Sequence, residues 1–187
     1  DLDLVLPPAL YGAALRDLPK DAVHQAAPRH ERFSDDPDYA VGIQWRDVLI
    51  EIHQALQPLH RTVLDVEHIY ERAQPGFLGD CPVRYPASED RLRIWLVNHS
   101  KTGFRTDLSD LIDLCLILLE LQKSSEPLQQ TLDGVLSCKP LQSAFSIGLL
   151  QLRRSGMMPK ALSCLEQSPS LWVMKLTPDS LSPEQSF

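Results

Sequence analysis

The chain has 187 residues, of which 43% are hydrophobic and 23% charged, a balance that favours a globular domain and excludes wholesale disorder. Its net charge of -7 makes nucleic acid and anionic membranes poor partners, and its longest apolar run, Leu114 to Leu119, is too short for a membrane span. The four cysteines form no CxxC pair, so we expect free thiols and an intracellular protein.

The first 40 residues predict a short strand, a short helix and a long connection. Residues 1–6 begin with alternating Asp and Leu and continue with Val5 and Leu6, a pattern that predicts a short strand. Pro7 and Pro8 end that alternation, and Pro8 suits the first turn of a helix that continues to about Arg16. Residues 18–40 contain three prolines, so we expect a mostly irregular connection there.

The next segment contains the longest regular pattern in the chain, a series of apolar residues separated alternately by four and three positions. Its members are Trp45, Leu49, Ile52, Leu56, Leu59, Val63, Val66 and Tyr70. This heptad spacing predicts a helix with one apolar seam. Pro58 interrupts the seam, which leaves either one kinked helix or two helices joined at Gln57 and Pro58; the unbroken spacing favours the kink.

A proline-rich loop and a further helix are predicted after the seam. Residues 75–87 contain three prolines and two glycines, so they read as a second rigid loop. Ser88 is a suitable N-cap, and the acidic Glu89 and Asp90 follow it at the positive end of the helix. We expect this helix to continue to about His99 and to stop before Gly103.

The segment from Leu108 to Leu121 is apolar on nearly every side of a helical projection. A helix of this kind is enclosed by its neighbours, so the sequence places it at the centre of the domain, with Thr106 or Ser109 as its N-cap. On this interpretation Leu116→Ala lowers the free energy of unfolding by about 2–5 kcal/mol.

Three prolines mark the starts of three later helices. The predicted helices run from Pro127 to about Cys138, from Pro140 to about Arg154, and from Pro159 to about Gln167. Residues 168–187 are polar and rich in proline apart from a short apolar run, so they are expected to form a flexible tail.

Together these elements predict an all-α fold, an irregular bundle of roughly seven helices with long proline-rich loops and flexible ends. We divide the chain by composition into residues 1–40, a terminal segment with a helix and an irregular loop; residues 41–167, the helical core; and residues 168–187, the tail.

The histidines of the seam do not predict a metal site. His53, His60 and His68 are separated by seven and eight residues, so they would share one flank of the helix. Ligands on a helix must lie about one turn apart to reach one ion, which this spacing exceeds. We interpret these residues as an exposed polar flank, with a pH-sensitive interface as the alternative.

No combination of residues predicts catalysis, a cofactor or a metal. Cys81 lies in the proline-rich loop beside Asp80, without a base nearby in sequence, and reads as a loop thiol. Asp107, Asp110 and Asp113 recur every three residues, and the first two complement the start of a helix.

The function expected from the sequence is therefore a non-enzymatic protein–protein interaction or scaffold domain that acts through helix faces and terminal segments. The alternative is a self-associating structural subunit, such as a viral matrix or nucleoprotein-associated helical domain. Trp45 and Tyr70 at the ends of the seam are candidate partner-binding residues, and so are Leu171 and Trp172, which are suited to docking on a partner's sheet edge or groove.

Overall fold

The computed structural model describes residues 2–25, 40–53, 64–101, 103, 105–137 and 139–165. In this part of the chain, six β-strands accompany six α-helices and one 3₁₀ helix. The all-α prediction is therefore wrong, because the fold is mixed, although the predicted number of helices agrees with the seven present.

The chain divides into two compact units, residues 1–90 and residues 91–187. The strands of the described part all lie in the first unit, and the second contains only helices there. The division at residues 40 and 167 that composition suggests stays a prediction, because residues 26–39 and 166–187 lie outside the described ranges.

The first unit contains a four-stranded sheet. Its strands are β1 (Leu2–Val5), β2 (Val23–Gln25), β3 (Ala40–Trp45) and β4 (Val48–His53). They are arranged in the order β1-β4-β3-β2. Strand β1 runs parallel to β4, whereas the β2–β3 and β3–β4 pairs are antiparallel.

The helical seam predicted from Trp45 to Tyr70 is wrong. Its first part belongs to the β3–β4 hairpin, and its last part belongs to the short helix α2 (Val66–Arg72). Pro58 lies outside the described residues, so the choice between a kinked helix and two helices at this position is not decided by the structure.

The hairpin forms because its residues suit a strand better than a helix. Val48, Ile50 and Ile52 are β-branched and alternate along β4, and the seam leaves out the first two of them. Trp45 pairs with Val48 around a turn of two residues, Arg46 and Asp47. When a strand has apolar residues on both faces, the spacing of these residues alone does not distinguish the period of a strand from that of a helix.

Two N-terminal predictions are confirmed, and one is corrected. The predicted strand is β1, and the predicted helix is α1 (Pro8–Arg16), which has a proline in its first turn. The connection of residues 18–40 is not wholly irregular, because β2 lies within it. Residues 26–39 are outside the described part of the chain.

One face of the sheet packs under α1 and forms the core of this region. Tyr11 of α1, Ile43 of β3 and Ile52 of β4 are its buried side chains. Partly buried apolar residues surround them: Leu6, Leu15, Leu18, Ala22, Val41 and Ile50. Because side chains alternate along a strand, the neighbours of Ile52 on β4, Glu51 and His53, lie on the opposite face.

The proline-rich segment of residues 75–87 is a second hairpin, so the prediction of a rigid loop is wrong. Its strands are β5 (Gln74–Leu78) and β6 (Cys81–Tyr85), which pair antiparallel. The hydroxyl of Tyr85 donates to the carbonyl of Phe77 over 2.8 Å. A Cβ at Gly76 would lie 2.6 Å from the Tyr85 ring, so this glycine lets the ring lie across the partner strand.

The described part of the second unit consists of helices that begin close to their predicted positions. These are α3 (Ser88–Lys101, with its first turn in the first unit), α4 (Leu108–Gln122), α5 (Leu128–Val135), α6 (Lys139–Arg154) and a 3₁₀ helix (Lys160–Leu165). Gly103 follows α3 with φ 63°, and Gly156 follows α6 with φ 72°, both in the left-handed region that glycine adopts without strain.

Helix α4 contacts α5, α6 and the 3₁₀ helix, yet it is not enclosed on all sides as predicted. One face is buried and consists of Leu111, Leu114, Ile117, Leu118 and Leu121. On the opposite side, Leu108, Ile112 and Leu116 are exposed. The prediction that Leu116 is a core residue is therefore wrong.

The N-cap of α4 is Asp107, rather than Thr106 or Ser109 as predicted. The Asp107 carboxylate accepts a bond from the backbone N–H of Asp110 at 3.0 Å, and the Asp110 carboxylate accepts one from the backbone N–H of Asp107 at 2.8 Å. This reciprocal capping box satisfies two backbone donors, and it confirms that both acids serve the start of the helix.

Candidate functional site

The structure describes two of the four residues predicted to bind a partner, Trp45 and Tyr70, and places them on different elements. Trp45 ends β3, where its Nε1 donates to Asp21 over 3.3 Å. Tyr70 lies on α2 with the guanidinium of Arg84 5.1 Å from its ring centre. Leu171 and Trp172 lie outside the described residues. Their roles in binding stay predictions.

The most exposed apolar surface on a helix of the second unit runs along α4. Leu108, Ile112 and Leu116 are 65%, 42% and 57% exposed. They follow one another at intervals of four residues, so they line one side of the helix over about 12 Å. Cys115 and Leu119, which are partly exposed, lie beside them. We call these five residues the α4 stripe.

Acidic side chains border the α4 stripe along one edge. Asp113 and Glu120 are exposed. On a helical projection both lie next to Leu116, at the edge of the stripe opposite Cys115. Glu120 forms an ion pair with Arg91 of α3. On the opposite edge, the Gln122 side chain donates to the carbonyl of Ala161 over 2.7 Å. The stripe therefore has an acidic edge and a neutral edge.

Beneath the N-terminal part of α4, an aromatic pair from α3 is packed against the helix. The rings of Trp95 and His99 stack with their centres 3.6 Å apart, and Trp95 Nε1 donates to the carbonyl of Asp110 over 3.0 Å. Burial lowers the pKa of His99, while the carboxylates of Asp110 and Asp107 partly oppose this change. Its burial in the core therefore favours the neutral form of the imidazole.

The buried carboxylate of Asp90 has a structural role. Arg72 of α2 donates to its two oxygens, from Nε over 2.9 Å and from Nη2 over 2.7 Å. This pairing raises the pKa of Arg72. The bidentate geometry ties α2 to the first turn of α3, which accounts for the buried charge without any chemistry.

The predicted arrangement of histidines on one helical flank is wrong. His53 lies on β4 and His68 on α2, while His60 lies outside the described residues. His68 contacts the N-cap Asp65, with 2.7 Å between Nδ1 and Oδ2. The hydrogen bond from the backbone N–H of His68, together with this side-chain contact, lowers the pKa of Asp65.

His53 instead forms a cluster with two carboxylates on the sheet. Its Nε2 lies 3.6 Å from an oxygen of Asp3 on β1 and 3.6 Å from an oxygen of Glu51 on β4. Sequence reasoning missed this cluster because it assigned His53 to a helix. The alternation of residues 48–53 was the available signal, since it places Glu51 and His53 on one face of a strand.

The cysteines of the described part show no disulfide. Cys81 begins β6 rather than lying in a loop, and it is exposed, as is Cys164. Burial raises the pKa of Cys115 on the α4 stripe, which disfavours the reactive thiolate. The predicted free thiols are confirmed for these three residues.

The chain matches no protein-family model, no curated protein and no solved structure. None of the helices in the described ranges combines the length and the apolar character that crossing a membrane requires. Function is therefore inferred from the chain's own surfaces and clusters.

Proposed function

We propose that this chain is a non-enzymatic protein–protein interaction domain whose α4 stripe binds an amphipathic helix of another protein. The observation that carries the proposal is the exposure of Leu108, Ile112 and Leu116 in one line on a helix whose other face is buried. Contiguous exposed apolar surface of this kind marks interaction sites in soluble proteins.

The shape of the stripe suits a helix as the occupant. A partner helix that presents apolar residues at intervals of three and four positions matches a straight row with one large side chain per turn. Exposed single residues elsewhere, such as Leu150 on α6, form no such row on their own helix within the described part of the chain.

The charge beside the stripe defines the chemistry of the partner. Asp113 and Glu120 form an acidic edge, in which Glu120 is paired with Arg91, and the whole chain has a net charge of -7. A partner helix with lysine or arginine along one edge gains complementary contacts there. A second copy of α4 packed antiparallel brings acidic edges together, which costs free energy, so charge favours a different protein over self-association.

We also propose that the protein is intracellular, because exposed free thiols such as those of Cys81 and Cys164 persist in a reducing compartment.

The test uses the full chain and two labelled helical peptides that share one apolar stripe, one with lysine and the other with glutamate along its edge. We expect fluorescence anisotropy to show at least about tenfold tighter binding of the lysine peptide at low salt, and a smaller difference at high salt. Leu116→Glu should abolish this binding, because it places a charge in the centre of the stripe.

Leu150→Glu is the matched control, because it places the same charge at an exposed leucine of α6. It should bind the lysine peptide as the wild type does. Equal binding of the two peptides, or equal loss in both variants, would contradict the proposal. Dimerisation in light scattering that Leu116→Glu abolishes would assign the stripe to a second copy of the chain and overturn the proposed partner.

A further inference from the structure

A histidine and two carboxylates converge on the face of the four-stranded sheet opposite the α1 core. Asp3 of β1 is in register with Glu51 of β4, and His53 lies two residues beyond Glu51 on the same face. The three candidate ligand atoms all lie within 4.8 Å of one another. The cluster is therefore fixed by the strand register rather than by loops.

The distances in this cluster do not correspond to ordinary hydrogen bonds. Both carboxylate oxygens lie 3.6 Å from the same nitrogen, Nε2 of His53. That nitrogen has at most one hydrogen to donate, so it cannot satisfy two carboxylates at once. Asp3 and Glu51 are also like charges on paired positions of neighbouring strands, an arrangement that costs free energy unless a cation, either a protonated His53 or a metal ion, lies close to both.

The two distances from His53 Nε2 are close to those between ligands of one metal ion, and the two carboxylate oxygens lie within 4.8 Å of each other. Ligand atoms in a tetrahedral site with bonds of about 2.1 Å lie about 3.4 Å from one another. The separations of 3.6 Å around His53 Nε2 need to shorten only slightly to meet that geometry. One imidazole nitrogen and two carboxylate oxygens form a donor set that suits divalent transition ions better than Mg²⁺ or Ca²⁺, which prefer oxygen alone.

We propose that Asp3, Glu51 and His53 form a binding site for a divalent first-row transition ion such as Zn²⁺. The ion bridges β1 and β4 and so stabilises the attachment of the N-terminal strand to the sheet. It also offsets the repulsion between the two carboxylates, which are paired across these strands.

The surroundings leave room for the ion and for its remaining ligands. The side chain of His53 is 12% exposed, whereas those of Glu51 and Asp3 are 37% and 56% exposed. The residue directly opposite Glu51 on β3 is Gly42, which has no side chain to crowd the carboxylate from that position. The imidazole is therefore held by its surroundings, while water has access to the carboxylate side.

The test is calorimetric titration of Zn²⁺ into the reduced, metal-free full chain without a histidine tag. We expect one equivalent to bind. Asp3→Asn, at an exposed position, and His53→Ala should each weaken binding by at least about tenfold, because each removes one ligand. Mg²⁺ should not compete at the same concentration.

His68→Ala is the matched control. His68 also contacts a carboxylate, that of Asp65, but it belongs to no group of three such ligands among the described residues. Its loss should leave the affinity unchanged. If His53→Ala fails to fold, imidazole NMR resonances of the wild type replace it, and Zn²⁺ should shift those of His53 but not those of His68. Binding that Asp3→Asn leaves intact, absence of Zn²⁺ binding, or equal affinity for Mg²⁺ would overturn the proposal.

Discussion

At the scale of single residues, Gly148 of α6 shows how closely the second unit is packed. A Cβ at this position would lie 3.0 Å from Leu114 Cδ2 and 3.1 Å from two ring carbons of Trp95. Trp95 cannot move away easily, because it donates a hydrogen bond to Asp110 and stacks on His99. The glycine is therefore required by its neighbours and not by its backbone.

Gly148→Ala should lower the free energy of unfolding by about 1–3 kcal/mol through overpacking. This cost of overpacking is opposed by the advantage of about 1 kcal/mol that alanine has over glycine inside a helix, and we expect the net change to be destabilising. Urea unfolding followed by circular dichroism measures the change.

Gly134→Ala on α5 is the matched control, because no atom lies within 4 Å of the added Cβ. It should raise the free energy of unfolding by up to about 1 kcal/mol. If both alanines stabilise the protein equally, the close packing around Gly148 is refuted.

At the scale of elements, helices were predictable from the sequence, and strands mostly were not. Prolines at helix starts and glycines at helix ends act locally, so α1, α5 and α6 begin close to their predicted positions. The hairpin of β5 and β6 was hidden by Pro75 and Pro82. In a sheet of two strands each strand is an edge, where a proline that lacks an N–H is tolerated.

The face that α4 buries was also beyond prediction, because leucines occur on both sides of the helix. Which side is covered depends on where α5, α6 and the 3₁₀ helix pack, and that is a tertiary property. The sequence therefore predicts that the residues of the α4 stripe belong to the core.

Two alanine substitutions on α4 should have different effects. Leu118→Ala should lower the free energy of unfolding by about 2–5 kcal/mol, because Leu118 is buried and its truncation leaves a cavity. Leu116 is exposed, and its truncation should cost less than about 1 kcal/mol. Chemical unfolding of both variants compares them directly, and a larger loss at Leu116 would show that the opposite face is buried.

At the scale of the whole molecule, the stability of the fold should depend on pH through His99. Burial lowers its pKa in the folded state below the ordinary value of 6.5, so the unfolded chain binds a proton more readily. Stability from this residue is therefore complete above the unfolded pKa and falls as the pH drops below it, until the folded pKa is reached.

Wild-type protein should lose free energy of unfolding as the pH falls from 7.5 to 5.5, with a slope from His99 of at most about 1.4 kcal/mol per pH unit. His99→Gln cannot take up this proton, so its slope over the same range should be smaller. Urea unfolding at several pH values provides the measurement. An unchanged slope in the variant would exclude His99 as the cause.

The same contrast between local and long-range information applies to the proposed sites. The sequence contains the alternation that brings Glu51 and His53 to one face of β4. It does not show that Asp3 lies beside them, because that neighbour depends on the pairing of β1 with β4. The spacing of apolar residues predicts that Trp45 and Tyr70 lie at the two ends of one helix. In the structure Trp45 lies on β3 and Tyr70 on α2.

The parallel pairing of β1 with β4 has a consequence for synthesis on the ribosome. Among the described residues, β1 is an edge strand whose only neighbour is β4, so Leu2 must wait for Ile50 to be translated before it can pair. Until then the apolar residues of β1 have no sheet to join, and this exposed apolar segment can bind chaperones or aggregate. Strand β1, although translated before β4, therefore enters the sheet late in folding, because its pairing joins residues that are far apart in the sequence.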